Sequence, residues 1–135
     1  MTDAEKLVGT WRLVTIRVEG RIAPERGANP TGFITYHPSG SMHVVIQPDR
    51  PLIEVKGAKP TGEEALAAIW GYTAYFGTYT VDEAKKIVTH HRAGSVQPGW
   101  HTQKDFVRWY RFEGDDRVTL GGLESKSALL WERLK

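Results

Sequence analysis

The chain has 135 residues, 40% of them hydrophobic and 25% charged, and its 18 Lys and Arg against 16 Asp and Glu leave a formal charge of +2. This length suits one domain over residues 1–135 with a core of its own, and the composition excludes a disordered chain. With no cysteine there is no disulfide framework, thiolate metal site or cysteine nucleophile, and positive charges this scattered exclude nucleic acid, which needs a dense basic footprint.

The opening Met1-Thr2-Asp3-Ala4-Glu5-Lys6 is polar and runs straight into Leu7-Val8-Gly9-Thr10-Trp11, unlike a secretory leader. Nowhere does an apolar run reach the roughly eighteen residues of a spanning helix, so the expectation is a cytoplasmic protein without membrane insertion. Gly9 to Glu19 is rich in β-branched and aromatic residues, with Val14, Ile16 and Val18 alternating against polar neighbours, and predicts a long first strand. Gly20, Pro24, Gly27 and Pro30 break regular structure and predict an exposed loop over 20–30. Gly32 to Tyr36 and Ser41 to Gln47 flank the turn His37-Pro38-Ser39-Gly40 and predict a hairpin.

Pro48, Pro51 and Gly57 then keep the chain irregular as far as Pro60. Thr61 and Glu64 have the spacing of a capping box, and Leu66, Ile69 and Trp70 follow at helical intervals, so a short amphipathic helix is predicted over about residues 62–71. Strands are predicted again at 73–81, 86–93, 104–113, 117–121 and 128–134, with tight connections at Asp82-Glu83-Ala84 and Gly114-Asp115-Asp116. Successive short strands joined by hairpin turns predict an all-β fold: an eight-stranded antiparallel up-and-down barrel with one short α-helix, its edges removed by closure. A barrel of this strand number holds either one small ligand or its own side chains.

Gly9-Thr10-Trp11 resembles the Gly-x-Trp opening of the lipocalin and fatty-acid-binding barrels, the calycin group. In those barrels the Trp lies across the closed end under an Arg from the last strand, which Trp131-Glu132-Arg133 supplies here. The resemblance therefore implies structural barrel closure by Trp11 and Arg133, an indole under a guanidinium. More specifically, the chain is similar to a bacterial and fungal group of lipocalin-like domains, through Gly9-Thr10-Trp11-Arg12-Leu13-Val14, Pro30-Thr31-Gly32-Phe33-Ile34-Thr35-Tyr36, Tyr75-Phe76-Gly77-Thr78-Tyr79, Val88-Thr89-His90-His91, Gln97-Pro98-Gly99-Trp100 and Leu130-Trp131-Glu132-Arg133. It departs from secreted lipocalins in having no cysteine, and from fatty-acid-binding proteins in lacking a helix pair after the first strand. The fold hosts both binders and enzymes, so the resemblance alone does not choose between them.

His90-His91 is the sharpest local feature. Adjacent strand residues face opposite sides, so only one imidazole enters the barrel, and an inward histidine either anchors a ligand or moves a proton. Tyr36, His43, Tyr75, Tyr79 and Trp100 are further candidates for lining a ligand site, with Tyr75 and Tyr79 sharing a face and Gly77 between them leaving room for something flat. Arg108 and Tyr110 share a strand face and suit a carboxylate or enolate; fatty-acid-binding barrels carry a similar Arg-x-Tyr pair, but on their last strand. The candidate catalytic groups are accordingly His90, His91, Arg108 and Tyr110. The histidines His37, His43, His90, His91 and His101 lack the i, i+2 spacing of strand ligands and have no acidic cluster beside them, so neither a metal nor another cofactor is expected.

The expected function is binding of a small hydrophobic or aromatic metabolite in a barrel cavity. The alternative is a cofactor-free barrel enzyme, an isomerase, cyclase or hydrolase of a small natural-product intermediate, with a pocket histidine as acid or base. A third possibility, a structural partner or homodimer, implies a barrel packed solid with side chains.

Overall fold

Alternation of apolar and polar residues gives most of the strands one buried face, and eight strands close on themselves. The computed structural model describes residues 1–97, 99, 103–123 and 125–135. Among them the strands are β1 (Gly9–Val18), β2 (Thr31–Tyr36), β3 (Ser41–Gln47), β4 (Thr73–Asp82), β5 (Ile87–Ser95), β6 (Asp105–Glu113), β7 (Arg117–Gly122) and β8 (Ser127–Arg133). Each pairs antiparallel with the next, and β1 also pairs with β8, giving a closed up-and-down barrel as expected.

The hairpin between β2 and β3 turns where predicted. His37 N donates to Ser41 O at 2.9 Å, and Gly40 takes φ 96°, a conformation that favours glycine. The core runs down the barrel axis through Trp11, Leu13, Ile16, Ile34, Tyr36, Met42, Val44, Val88, Tyr110, Val118, Leu120 and Trp131.

Strand β1 departs from simple alternation. Trp11 and Leu13 are buried, and so is Ile16, which lies on the opposite parity. The pairing of β1 with β8 shifts register between Leu13 and Thr15, so Val14 occupies an extra step and the strand changes phase there. The predicted grouping of Val14 with Ile16 and Val18 therefore fails at Val14.

A helix that the sequence did not reveal, α1 (Asp3–Leu7), precedes β1. Its N-cap, Thr2, accepts a hydrogen bond from Glu5 N at 3.1 Å. Five residues with one buried apolar side chain, Leu7, give no periodicity to read. This helix forms the floor: Trp11 Nε1 donates to Leu7 O at 2.8 Å, and the Arg133 guanidinium lies 4.2 Å from the centre of the Trp11 ring. Arg133 also donates through Nη1 to Val8 O at 2.8 Å and through Nη2 to Lys6 O at 2.6 Å, satisfying carbonyls left over at the end of the helix. Gly9 has φ 133°, and a Cβ there would stand 3.0 Å from Arg133 Nη1, so both conformation and space call for glycine.

The predicted helix is α2 (Gly62–Ile69), with the capping box formed reciprocally: Thr61 Oγ1 accepts from Glu64 N at 3.1 Å, and Glu64 Oε1 accepts from Thr61 N at 2.7 Å. It ends two residues earlier than predicted, and none of its residues is buried. The apolar residues expected to pack inward instead meet solvent, with Leu66 and Trp70 both exposed, because the strands already close the interior. Arg50 Nη2 donates to Ala67 O at 2.7 Å, placing a cation at the helix C-terminus.

Replacing Arg133 with Met removes three charge-assisted hydrogen bonds, to Lys6 O, Val8 O and Asp115 O, the ion pair with Asp116, and the stacking on Trp11. The expected loss of stability is about 2 kcal/mol, measured as a lowered urea midpoint. Arg133→Lys should recover less than half of it, because an ammonium cannot reach two carbonyls and cover an indole together. An unchanged midpoint in Arg133→Met would remove the floor from its structural role.

Candidate functional site

Above the floor the side chains do not fill the barrel. A cavity of about 330 Å³ remains, walled by Ile16, Ile34, Val44, Ile46, Phe106, Leu120, Leu129 and Trp131, with Thr73, Tyr75, His90 and Arg108 as its polar wall. Ala23, Glu25 and Arg26 from the β1–β2 loop, and Ser125 and Ser127 near the start of β8, line it at the end opposite α1. That loop is held in place by Arg26, which donates to Gly71 O at 2.8 Å and accepts at its own carbonyl from Asp49 N at 2.8 Å.

Strand parity decides between the two adjacent histidines. On β5 the buried residues are Val88, His90 and Arg92, so His90 faces inward. Its Nε2 lies 2.6 Å from Tyr36 Oη and its Nδ1 lies 2.6 Å from Tyr75 Oη. Burial, reinforced by the positive charges of Arg108 and Arg92, pulls the His90 pKa from 6.5 down to about 3, so the ring is neutral near pH 7. A neutral imidazole donates once and accepts once. Tyr36 is fully enclosed and makes no other hydrogen bond among the described residues. Its hydroxyl must therefore donate to Nε2, since accepting there would strand its own hydrogen. It follows that Nδ1–H donates to Tyr75 Oη, and a polarised chain runs from Tyr36 through His90 to the tyrosine on the cavity wall. Burial raises the pKa of both phenols, so neither ionises near neutral pH.

Arg108 is buried to 5% exposure and lies with its guanidinium 4.6 Å from the centre of the Phe106 ring. No hydrogen bond or ion pair joins it to a described residue. Arg92 also stacks on Phe106, at 4.8 Å, and donates to Gln103 O. Sequence reasoning missed Arg92, Phe106, Glu25 and Arg26. Alternation from His90 predicts Arg92, whereas nothing in the loop sequence shows that Glu25 and Arg26 fold over the barrel end.

The other candidates are dispersed. His91 points outward, with Nδ1 2.8 Å from Asp105 Oδ1 and Nε2 3.0 Å from Thr80 Oγ1. His43 is on the outer face too, exposed beside His37 in a surface groove with Phe33, Val45 and Tyr72, because Met42, Val44 and Ile46 take the inner positions of β3. Tyr79 is half-buried away from the cavity, its ring 4.8 Å from that of Tyr36 and its hydroxyl donating to His37 O at 2.9 Å. Nor does Gly77 leave a slot between Tyr75 and Tyr79, since a Cβ there would collide with His91 O of β5.

Tyr110 shares an inward face with Arg108 but sits toward the floor, donating to Asp3 Oδ2 at 2.6 Å, so the two do not form one anion clamp. Trp100 lies outside the described residues. Among the described residues no three His, Asp or Glu side chains gather as metal ligands, and no helix is long and apolar enough to cross a membrane.

A family model described as a lipocalin-like domain matches residues 8–134. No curated protein matches the chain. Among solved structures it is similar to a DUF4847 family protein from Bacteroides vulgatus, at 12% identity and a TM-score of 0.49, over 96% of this chain and 94% of that one.

A histidine whose folded pKa lies below its unfolded value takes up a proton on unfolding. The stability it lends is present above pH 6.5 and drains away as pH falls toward 3. Urea midpoints measured between pH 7 and about pH 4 should fall more steeply for the wild type than for His90→Gln, which keeps hydrogen-bonding capacity but does not titrate. Parallel slopes would mean that His90 is not held neutral.

Proposed function

The chain belongs to the lipocalin-like domain family, and we propose that its barrel binds a small hydrophobic or aromatic molecule, whose polar end lies against Tyr75, His90 and Arg108. The observation that carries this is the unfilled cavity itself, apolar on most of its wall with a few polar groups converging on one side. A chain acting only as a structural partner would fill that space with its own side chains. At about 330 Å³ the cavity is at the small end of ligand sites, which run from about 300 to 1,000 Å³. That suits one or two rings better than a long acyl chain.

The chemistry of His90 favours binding over turnover. A general base needs a lone pair within reach of substrate, and the one lone pair on this ring accepts from Tyr36, on the side away from the cavity. A proton taken up at His90 would also have to displace one of two 2.6 Å hydrogen bonds against the field of Arg108 and Arg92. The imidazole is thus suited to fix the orientation of Tyr75.

The neutral fluorophore N-phenyl-1-naphthylamine tests the reading. Its emission should rise saturably with wild-type protein. Val44→Phe, which fills the cavity wall, should suppress the rise, whereas Phe33→Ser on the outer face should leave it intact. Equal enhancement by all three proteins, or by none, would sink the proposal.

A further inference from the structure

We propose that the cavity selects an organic monoanion, a compact carboxylate-bearing molecule of one or two rings with its carboxylate seated on Arg108. This rests on the cavity being a ligand site and goes on to specify the charge of what enters it.

A guanidinium brings five N–H donors, all in its own plane. Stacking on Phe106 occupies one face of Arg108 and leaves those in-plane donors unspent. No acceptor among the described residues takes them, although the side chain is almost wholly withdrawn from water and lines the cavity. A guanidinium that opens only onto the cavity and has no acceptor among the described residues invites one from a bound molecule, and a bidentate carboxylate is the partner whose geometry matches it.

The surroundings point the same way. Around Arg108 stand Tyr36 on β2, Tyr75 on β4, His90 and Arg92 on β5, and Glu25 and Arg26 on the β1–β2 loop. The phenols and His90 are uncharged near neutral pH. Among the described residues lining the cavity, Arg26 and Arg108 carry positive charge and Glu25 carries negative charge, an excess of one cation. Glu25 acts on Arg26, with no ion pair to Arg108. A single carboxylate matches that excess.

Isothermal titration with 4-phenylbutanoate and its uncharged isostere 4-phenylbutanamide tests this directly. Wild-type protein should bind the acid about tenfold or more tightly than the amide, the range expected of a charge-assisted hydrogen bond. Arg108→Met should erase the preference by weakening the acid about tenfold or more and the amide far less, and its ligand-free melting temperature should equal or exceed the wild type's, because a buried charge with no protein acceptor has gone. A purely structural Arg108 predicts the reverse, a lower melting temperature with the preference intact.

Glu25→Gln offers a second arm at the rim. It should strengthen acid binding by about two- to threefold with no change for the amide. Equal affinities for acid and amide in the wild type, with N-phenyl-1-naphthylamine still bound, overturn the anion selectivity alone. Loss of all three ligands overturns the binding reading beneath it as well.

Discussion

The stack of Arg133 on Trp11 is the contact on which the rest of the barrel depends. It joins the last strand to the first, and through Lys6 O and Val8 O it joins both to the short helix that plugs the floor. Closing a sheet leaves two open ends, and a side chain that is part cation and part flat plate can seal one of them without a buried unpaired charge. With Leu7 and Trp11 fully enclosed below, the strands above are free to diverge around a space that their own residues do not fill. A cavity at one end is therefore a consequence of tight packing at the other.

Much of this architecture was legible because most strands carry period-two alternation and most turns carry a Pro or Gly. The hairpin at His37–Gly40 and the capping box at Thr61 and Glu64 needed no tertiary information. What escaped was phase and height. A one-residue bulge at Val14 puts Trp11 and Ile16 on the same face despite their opposite parity, and a second register shift where β4 meets β5, opposite Ala93, does the same near the top of β5. Sequence alternation fixes a face only between such bulges; across His90 and His91 it is unbroken, but the adjacent apolar pair Ile87 and Val88 leaves its phase open, so the inward histidine could not be chosen beforehand.

Height along the barrel is equally silent in the sequence. Arg108 and Tyr110 share a face, as their spacing requires, yet one reaches the cavity and the other bonds to Asp3 near the floor. His43 was the more readable error: Met42, Val44 and Ile46 form a clean inner row, and only the apolar Val45 on the outer row blurred it. The residues from the loops, Glu25 and Arg26, could not have been assigned, because nothing local says which barrel end a loop will fold across.

The polar wall shows how a fold of this size tunes chemistry by enclosure rather than by adding groups. His90 sits between two phenols and near two guanidinium groups, and enclosure decides which of them stay charged. Desolvation neutralises the imidazole and keeps the phenols protonated, while the guanidinium, with the highest intrinsic pKa, retains its charge. Two fixed cations, Arg92 and Arg108, thus remain beside a set of neutral dipoles whose hydrogen-bond order is dictated by the sealed end at Tyr36. Such a wall is preorganised, since neither the imidazole nor the phenols change charge across the neutral range.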